Sequence, residues 1–94
     1  MGIYVKRPIK VEATQWKKIG DHSSVRILTN DVRWGGILCY TCGEIMRKHG
    51  LIETLEGTFK VCPGDWIVKG IEGELYPIKP DIFIRTYAPE EEVN

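Results

Sequence analysis

Three cysteines and two histidines are the residues of this 94-residue chain whose types and spacing could do chemistry. Cys39 and Cys42 have the C-x-x-C spacing of a zinc knuckle, and His49 and Cys62 could complete a set of four ligands. A second closely spaced pair is missing, so zinc binding requires the fold to bring His49 and Cys62 together. The sequence therefore favours buried or incidental thiols and no bound cofactor, with a zinc site and thiol redox chemistry as alternatives.

No catalytic motif stands out in the sequence. A nucleophilic cysteine needs a neighbouring histidine and a third group that orients it, and neither His22 nor His49 has such a setting. Paired carboxylates, a serine triad and a phosphate-binding loop are also missing, since a glycine pair alone does not define one. We therefore expect a binding protein rather than an enzyme.

Aromatic and charged residues alternate densely over residues 63–83, and this block is the predicted ligand site. Aromatic rings can stack on a nucleobase, lysines can pair with phosphate, and carboxylates can accept hydrogen bonds from ribose or a base edge. The alternative is structural: the rings form the core, and the aspartates satisfy turn and cap amides. The predicted ligand-binding residues are Gln15, Trp16, Asp65, Trp66, Lys69, Glu74, Tyr76, Lys79 and Phe83.

The composition argues against a protein that binds duplex nucleic acid and against one that spans a membrane. Thirteen basic and 13 acidic residues give a formal net charge of zero, which argues against binding to duplex nucleic acid. No run approaches the roughly 18 apolar residues of a membrane span, and no signal-peptide core is evident, so we expect a cytoplasmic protein. The odd cysteine count suits a reducing compartment. We expect one domain over residues 1–88 and an acidic tail over 89–94.

Alternation of apolar and polar residues predicts the elements. Residues 8–16 alternate with period two and predict a half-buried strand, after which Val25, Ile27 and Leu28 are expected on a short helix. Turns are predicted at Glu56-Gly57 and Pro63-Gly64-Asp65. The further strands are predicted at 32–40 (with a bulge at the glycine pair), 51–55, 58–62, 66–69 and 74–78, and a final helix begins at Lys79-Pro80-Asp81.

These elements predict an α+β, mainly β protein. We expect a small curved antiparallel sheet or open barrel, with one short helix after the first strand and a C-terminal helical turn. A domain with so small a core gains from self-association, so a homo-oligomer is expected. Trp34 and Tyr40 could also line the ligand site, but a position in the core or a subunit interface is favoured for both.

The C-terminal half carries a specific family resemblance. The segments PGDWIVKG (63–70) and GELYPIKPDIF (73–83), together with residues 54–57 and 86–87, resemble a widespread family of small bacteriophage proteins of unassigned function. Residues 6–16 are similar to that family's N-terminal strand. Family members commonly carry cysteine where this chain has Ile78, and residues 32–50 do not align. The resemblance implies a viral origin, and hence the host cytoplasm, more than a chemistry.

Three functions follow from these observations. The leading hypothesis is a non-enzymatic phage protein that binds a small anionic, nucleotide-like ligand and acts as a sponge for a host immune signal, an anti-defence role. The second is a protein-interaction module that inhibits or adapts a host or phage protein. The third is a zinc-stabilised structural domain.

Overall fold

Short strands dominate the computed structural model, which describes residues 2–5 and 9–89. The strands are β1 (Glu12–Gln15), β2 (Val25–Ile27), β3 (Gly50–Thr54), β4 (Gly57–Val61), β5 (Trp66–Lys69) and β6 (Leu75–Ile78), and the helix is α1 (Pro80–Thr86). Two 3₁₀ turns, Trp34–Gly36 and Met46–Lys48, lie between β2 and β3. Within the described residues no helix is long and apolar enough to cross a membrane. The start of the first predicted strand (residue 8) and most of the predicted acidic tail (90–94) lie outside the described residues.

The strands form two antiparallel sheets of three strands each. Their orders are β1-β5-β6 and β2-β3-β4. The β3–β4 hairpin runs in register from Gly50 opposite Val61 to Thr54 opposite Gly57. A mainly β fold and both C-terminal hairpins are therefore confirmed, but the sheets do not close into a barrel.

One apolar core joins the two sheets. It is formed by Trp16, Val25, Ile52, Val61 and Ile67, which are all at most 5% exposed. Burial of a side chain of this size contributes roughly 1.5–3 kcal/mol. The core therefore fixes the sheets against each other and holds the end of β1 beside the start of β5.

The helix predicted after the first strand is wrong. Val25 and Ile27 lie in β2, where Val25 stands opposite Ile52 and enters the core. A helix of so few residues is unstable without tertiary support, whereas β3 offers β2 a row of unpaired backbone groups. The Leu28 N–H then donates to the His49 carbonyl at 3.1 Å, which extends the pairing of the two segments by one residue to His49.

The strand predicted over residues 32–40 is also wrong. The Asp31 carboxylate accepts the N–H groups of Arg33 and Trp34 at 2.8 and 2.9 Å, and it thereby opens the 3₁₀ turn Trp34–Gly36. Gly35 is buried against Arg47, whose Cβ would lie 3.0 Å from a Cβ at Gly35. Side-chain capping by Asp31 thus outweighs the strand preference of the apolar residues that follow.

Helix α1 packs an aromatic side on β5. The Phe83 ring lies nearly parallel to Trp66 with centroids 4.0 Å apart, and Tyr87 stacks on Phe83 at 5.1 Å. Pro80 occupies the first turn, where the N–H that proline lacks has no helical partner. The predicted C-terminal helix is confirmed, and its aromatic residues serve packing.

Replacement of Gly50 by alanine is expected to destabilise the protein by about 1–3 kcal/mol. A Cβ at this position would overlap Val25 Cγ1 and stand 3.0 Å from the Arg26 carbonyl oxygen, so β2 and β3 would have to separate. Urea unfolding followed by tryptophan fluorescence measures the loss. Gly36→Ala is the matched control because a Cβ there meets nothing within 4 Å. Equal unfolding midpoints for wild type and Gly50→Ala would contradict the packing described.

Candidate metal centre

Cys39 and Cys42 lie in a tight loop closed by backbone hydrogen bonds. The Cys39 N–H donates to the Glu44 carbonyl at 2.7 Å, and the Gly43 N–H donates to the Cys39 carbonyl at 3.0 Å. Gly43 has a φ of 83°, a left-handed conformation that glycine adopts without steric cost. The sequence Cys42-Gly43 therefore turns the chain back and keeps the two thiols close together.

The β3–β4 hairpin supplies the other two donor residues. His49 directly precedes β3 and Cys62 directly follows β4. Because Gly50 pairs with Val61, His49 and Cys62 come next to each other at the open end of the hairpin. Both side chains are buried, with exposures of 0% and 1%.

The four donor atoms form a compact cluster. The Sγ atoms of Cys39, Cys42 and Cys62 and a ring nitrogen of His49 all lie within 4.8 Å of one another. Cys39 Sγ is 3.9 Å from Cys62 Sγ, and Cys42 Sγ is 3.1 Å from His49 Nε2. Tetrahedral zinc, with Zn–S bonds of about 2.3 Å and a Zn–N bond of about 2.0 Å, places its donors about 3.5–3.8 Å apart. The number, type and spacing of the donors suit zinc.

His49 is held in the tautomer that a metal ligand needs. Its Nδ1 lies 3.0 Å from the Ile45 carbonyl oxygen. A carbonyl oxygen only accepts hydrogen bonds, so Nδ1 carries the hydrogen. Nε2, which faces Cys42, therefore has a free lone pair, as in metal sites whose second imidazole nitrogen is bound to the protein.

Cys39 is supported as a thiolate. Lys60 Nζ donates to its Sγ at 3.0 Å and the Thr41 N–H donates at 3.4 Å. Burial opposes ionisation, but these bonds and one from the Cys42 amide outweigh it and lower the pKa of Cys39 to about 5. The hydrogen bond to Cys39 in turn raises the pKa of Lys60.

Cys62 differs from Cys39 in its protonation. Burial raises the pKa of the Cys62 thiol to about 12, although a hydrogen bond from Lys79 acts in the opposite direction. A metal binds the thiolate form, so metal uptake at neutral pH must release the Cys62 proton.

A buried carboxylate fixes the turn that follows Cys62. Asp65 Oδ2 accepts the Cys62 N–H at 2.9 Å, and the Asp65 N–H returns to the Cys62 carbonyl at 3.0 Å. Lys79 Nζ donates to both carboxylate oxygens, at 3.2 and 2.9 Å. Asp65 is 2% exposed, so its carboxylate is shielded from water while Lys79 stays partly exposed, and its bond to the Cys62 N–H positions Cys62.

The donor atoms of the cluster are sufficient to fill the coordination of one metal ion. Thiolate and imidazole donors together favour zinc among the common divalent metals, given its availability and tetrahedral preference. Three thiolates and a neutral imidazole around Zn²⁺ leave one negative charge, next to which Lys60 lies. Four protein ligands complete the tetrahedron, and a closed tetrahedron is typical of a structural site. The structure thus favours the zinc alternative over the incidental thiols that the sequence favours.

Two of the residues predicted to bind a ligand are enclosed by the protein. Trp16 is 0% exposed in the core, and Asp65 is buried against Lys79. The prediction that Trp16 and Asp65 contact a ligand is therefore corrected. Trp16 packs in the core, which needs a large apolar side chain. Asp65 positions Cys62, because the turn needs an acceptor for the Cys62 N–H.

The remaining residues of the predicted ligand site are divided between separate surfaces. Lys69 is three positions from Trp66 on β5 and so lies on the opposite face of the sheet. Tyr76 pairs with Val68 and lies on the Trp66 face. Phe83 stacks on Trp66, and the Gln15 side-chain amide donates to the Gly64 carbonyl at 3.1 Å. Trp66 and Tyr76 share one face, but Lys69 lies on the other face and Lys79 pairs with Asp65, so the predicted convergence of the aromatics with the lysines is not present.

A groove of about 270 Å³ lies between the β3–β4 turn and β6. Two of the predicted ligand residues, Glu74 and Tyr76, line it together with Thr54, Leu55, Glu56, Phe59, Leu75 and Pro77. Its charged lining residues are Glu56 and Glu74, and no lysine or arginine lines it. The charge of this groove therefore opposes a phosphate-bearing ligand.

Lys60 is a site residue that sequence reasoning missed. It lies two positions before Cys62 and so faces the same side of the strand as that cysteine. That spacing is a usable signal once Cys62 is considered a ligand. Nothing in the sequence pairs Lys60 with Cys39, since that contact depends on how the loop of Cys39 folds onto β4.

Comparison with known proteins reveals no relative: no family model, no curated protein and no solved structure matches this chain. The resemblance to bacteriophage proteins therefore stays a prediction. Function is argued below from the site and the surface.

Proposed function

We propose that this protein is a non-catalytic, zinc-stabilised protein-interaction module. The observation that carries the proposal is the cluster of Cys39, Cys42, His49 and Cys62, whose donor atoms lie within 4.8 Å of one another. A closed set of four ligands links the loop of Cys39 and Cys42 to the hairpin and stabilises the folded state.

The zinc would order a segment that is rich in exposed apolar side chains. We call residues 32–44 the knuckle loop. Its exposed large apolar residues are Val32, Trp34, Ile37, Leu38 and Tyr40. Trp34 is 44% exposed and Tyr40 is fully exposed, so the prediction that they lie in the core is wrong. Their predicted position in a subunit interface stays a prediction.

A loop ordered in advance is a favourable binding surface. Fixing it with a metal removes part of the entropy cost of association. Exposed aromatic side chains such as Trp34 and Tyr40 are the anchors that dominate many protein interfaces. A role in protein contact also explains why a structural metal would order a loop that contributes so few side chains to the core.

Metal analysis and a binding comparison test the two parts of this proposal. Purified protein should contain about one zinc per chain. Sedimentation velocity and affinity capture should then detect association of this protein with another protein chain. Leu38→Ser and Tyr40→Ser should weaken that association. Ile71→Ser is the matched control, because Ile71 is 70% exposed on the β5–β6 turn, away from the knuckle loop in sequence. A metal-free protein, or equal loss with Ile71→Ser, would contradict the proposal.

The groove beside β6 supports a second candidate function, binding of a small ligand. Phe59 and Tyr76 give it aromatic surface, and Glu56 and Glu74 favour a neutral or cationic ligand over the anionic nucleotide expected from the sequence. A panel of cationic, neutral and nucleotide ligands, screened by melting temperature, tests this candidate. A shift that Glu74→Gln abolishes would support it, and no shift with any ligand at saturation would contradict it.

A further inference from the structure

The three sulfur atoms of the proposed zinc centre have unequal surroundings. Cys39 is 3% exposed, and its Sγ accepts hydrogen bonds from Lys60 Nζ and the Thr41 N–H. Cys62 is 1% exposed, and Lys79 donates to the Asp65 carboxylate that accepts the Cys62 N–H. Both sulfurs are shielded from solvent, and that of Cys39 also has a cationic donor beside it.

Cys42 lacks both forms of protection. It is exposed, unlike the other two cysteines. Among the described residues its Sγ has His49 Nε2 at 3.1 Å and the sulfurs of Cys39 and Cys62 within 4.8 Å, and all three would be fellow ligands of the metal. In that part of the chain no ammonium or amide group donates a hydrogen bond to Cys42 Sγ.

These differences bear on the reactivity of a metal-bound thiolate. An N–H···S hydrogen bond withdraws electron density from sulfur and must be broken or weakened when the sulfur attacks an electrophile, and burial also prevents approach. A hydrogen bond to a charged group is strong enough to slow such an attack by about tenfold.

We propose that Cys42 is the modification site of this centre, where soft electrophiles react while Cys39 and Cys62 are protected. The inference rests on the proposed function, because it concerns the zinc-bound thiolates. With an alkyl halide, Cys42 Sγ attacks the carbon, an S–C bond forms, the carbon–halogen bond breaks, and halide leaves with the bonding electron pair. The product is a neutral thioether.

Modification at Cys42 would open the knuckle loop. A thioether is a much weaker zinc ligand than a thiolate, so the metal loses one of its three anionic ligands. Cys42 lies at the end of the loop that carries Trp34 and Tyr40, and its release removes one of the two ligands by which the metal would hold that loop to the hairpin, with Cys39 as the other. An electrophile would thus act on the proposed interaction surface through the metal.

Limited alkylation of the zinc-containing protein tests the inference. The protein is first shown to hold zinc by metal analysis, then treated with substoichiometric iodoacetamide, quenched and mapped by mass spectrometry. We expect Cys42 to carry about tenfold more label than Cys39 or Cys62 at early times, and zinc release to follow Cys42 labelling. Lys60→Met should raise labelling of Cys39 about tenfold, and Lys60→Arg should restore its protection because arginine also donates N–H groups.

The outcomes separate this inference from the proposed function. A sample without zinc overturns the proposed function, and this inference with it. A zinc-containing sample in which Cys39 or Cys62 is labelled as fast as Cys42 overturns the inference alone. An unchanged Cys39 rate in folded, zinc-containing Lys60→Met also overturns the proposed protection.

Discussion

Removal of zinc is expected to unfold most of this protein at room temperature. Structural zinc contributes about 10–16 kcal/mol in small zinc-binding peptides, whereas the total stability of a domain is about 5–15 kcal/mol. The apolar core of this chain is small, and the metal would join the knuckle loop to both strands of the hairpin. Circular dichroism during titration with a strong chelator measures the loss, and added zinc should restore the folded signal.

The same loss of stability can be tested by comparing a substitution of one ligand with a control substitution that leaves all four ligands intact. Cys62→Ser removes a buried ligand at the end of β4 and should lower both the zinc content and the melting temperature. Tyr40→Ser changes a fully exposed residue of the knuckle loop, which contains two of the other ligands, and should alter neither. A melting temperature that is identical with and without chelator would show that the four residues do not hold a stabilising metal.

Asp65→Ala is expected to cost about 1–3 kcal/mol, the usual effect of leaving a buried hydrogen-bond donor without its acceptor, because the Lys79 side chain is 37% exposed and can be hydrated. The substitution leaves the Lys79 ammonium group and the Cys62 N–H without their acceptor. It also frees the turn that positions Cys62, so zinc affinity should fall together with stability. Urea unfolding and competition with a chromogenic chelator measure the two effects.

An exposed ion pair provides the control for Asp65. Asp81 and Arg85 form an i,i+4 pair at 3.6 Å with both side chains more than 70% exposed, so Asp81→Ala should cost at most about 0.5 kcal/mol. The double variant Asp65→Ala/Lys79→Met should recover part of the Asp65→Ala loss, because the unpaired ammonium group is then absent. Equal effects of Asp65→Ala and Asp81→Ala would contradict a buried, structural role for Asp65.

The C-terminal half of the fold could be predicted because local signals agree there. Turn residues at Glu56-Gly57 and Pro63-Gly64-Asp65 stand between alternating apolar segments, and the strands form within one residue of where these patterns place them. The observed hairpin turns at Leu55-Glu56, one position earlier than predicted. His49 and Cys62 are each six residues from this turn, so the in-register pairing brings them together, whereas the predicted turn would have placed His49 opposite Gly64.

The region before β3 could not be predicted, because tertiary contacts decide its structure. The spacing of Val25 and Ile27 fits a strand and that of Val25 and Leu28 fits a helix, and pairing with β3 selects the strand. The apolar run after Asp31 resembles a strand, but the Asp31 side chain caps a 3₁₀ turn instead. Periodicity carries no information about either contact.

The predicted ligand site shows a second limit of sequence patterns. Alternation of aromatic and charged residues indicates which residues share a face of one strand, but it does not tell whether that face is covered. Helix α1 covers the Trp66 face with Phe83, and the core encloses Trp16. Aromatic residues that the pattern predicts to contact a ligand therefore pack against other parts of the protein.

X-ray absorption spectroscopy at the zinc edge tests the central claim most directly. Protein purified without added metal should show a first shell of three sulfur atoms at about 2.3 Å and one nitrogen at about 2.0 Å. This shell corresponds to Cys39, Cys42, Cys62 and His49, and His49→Ala should remove the nitrogen contribution specifically. A shell of oxygen and nitrogen donors without sulfur, or a spectrum that His49→Ala leaves unchanged, would contradict the assignment of these four residues as the metal ligands.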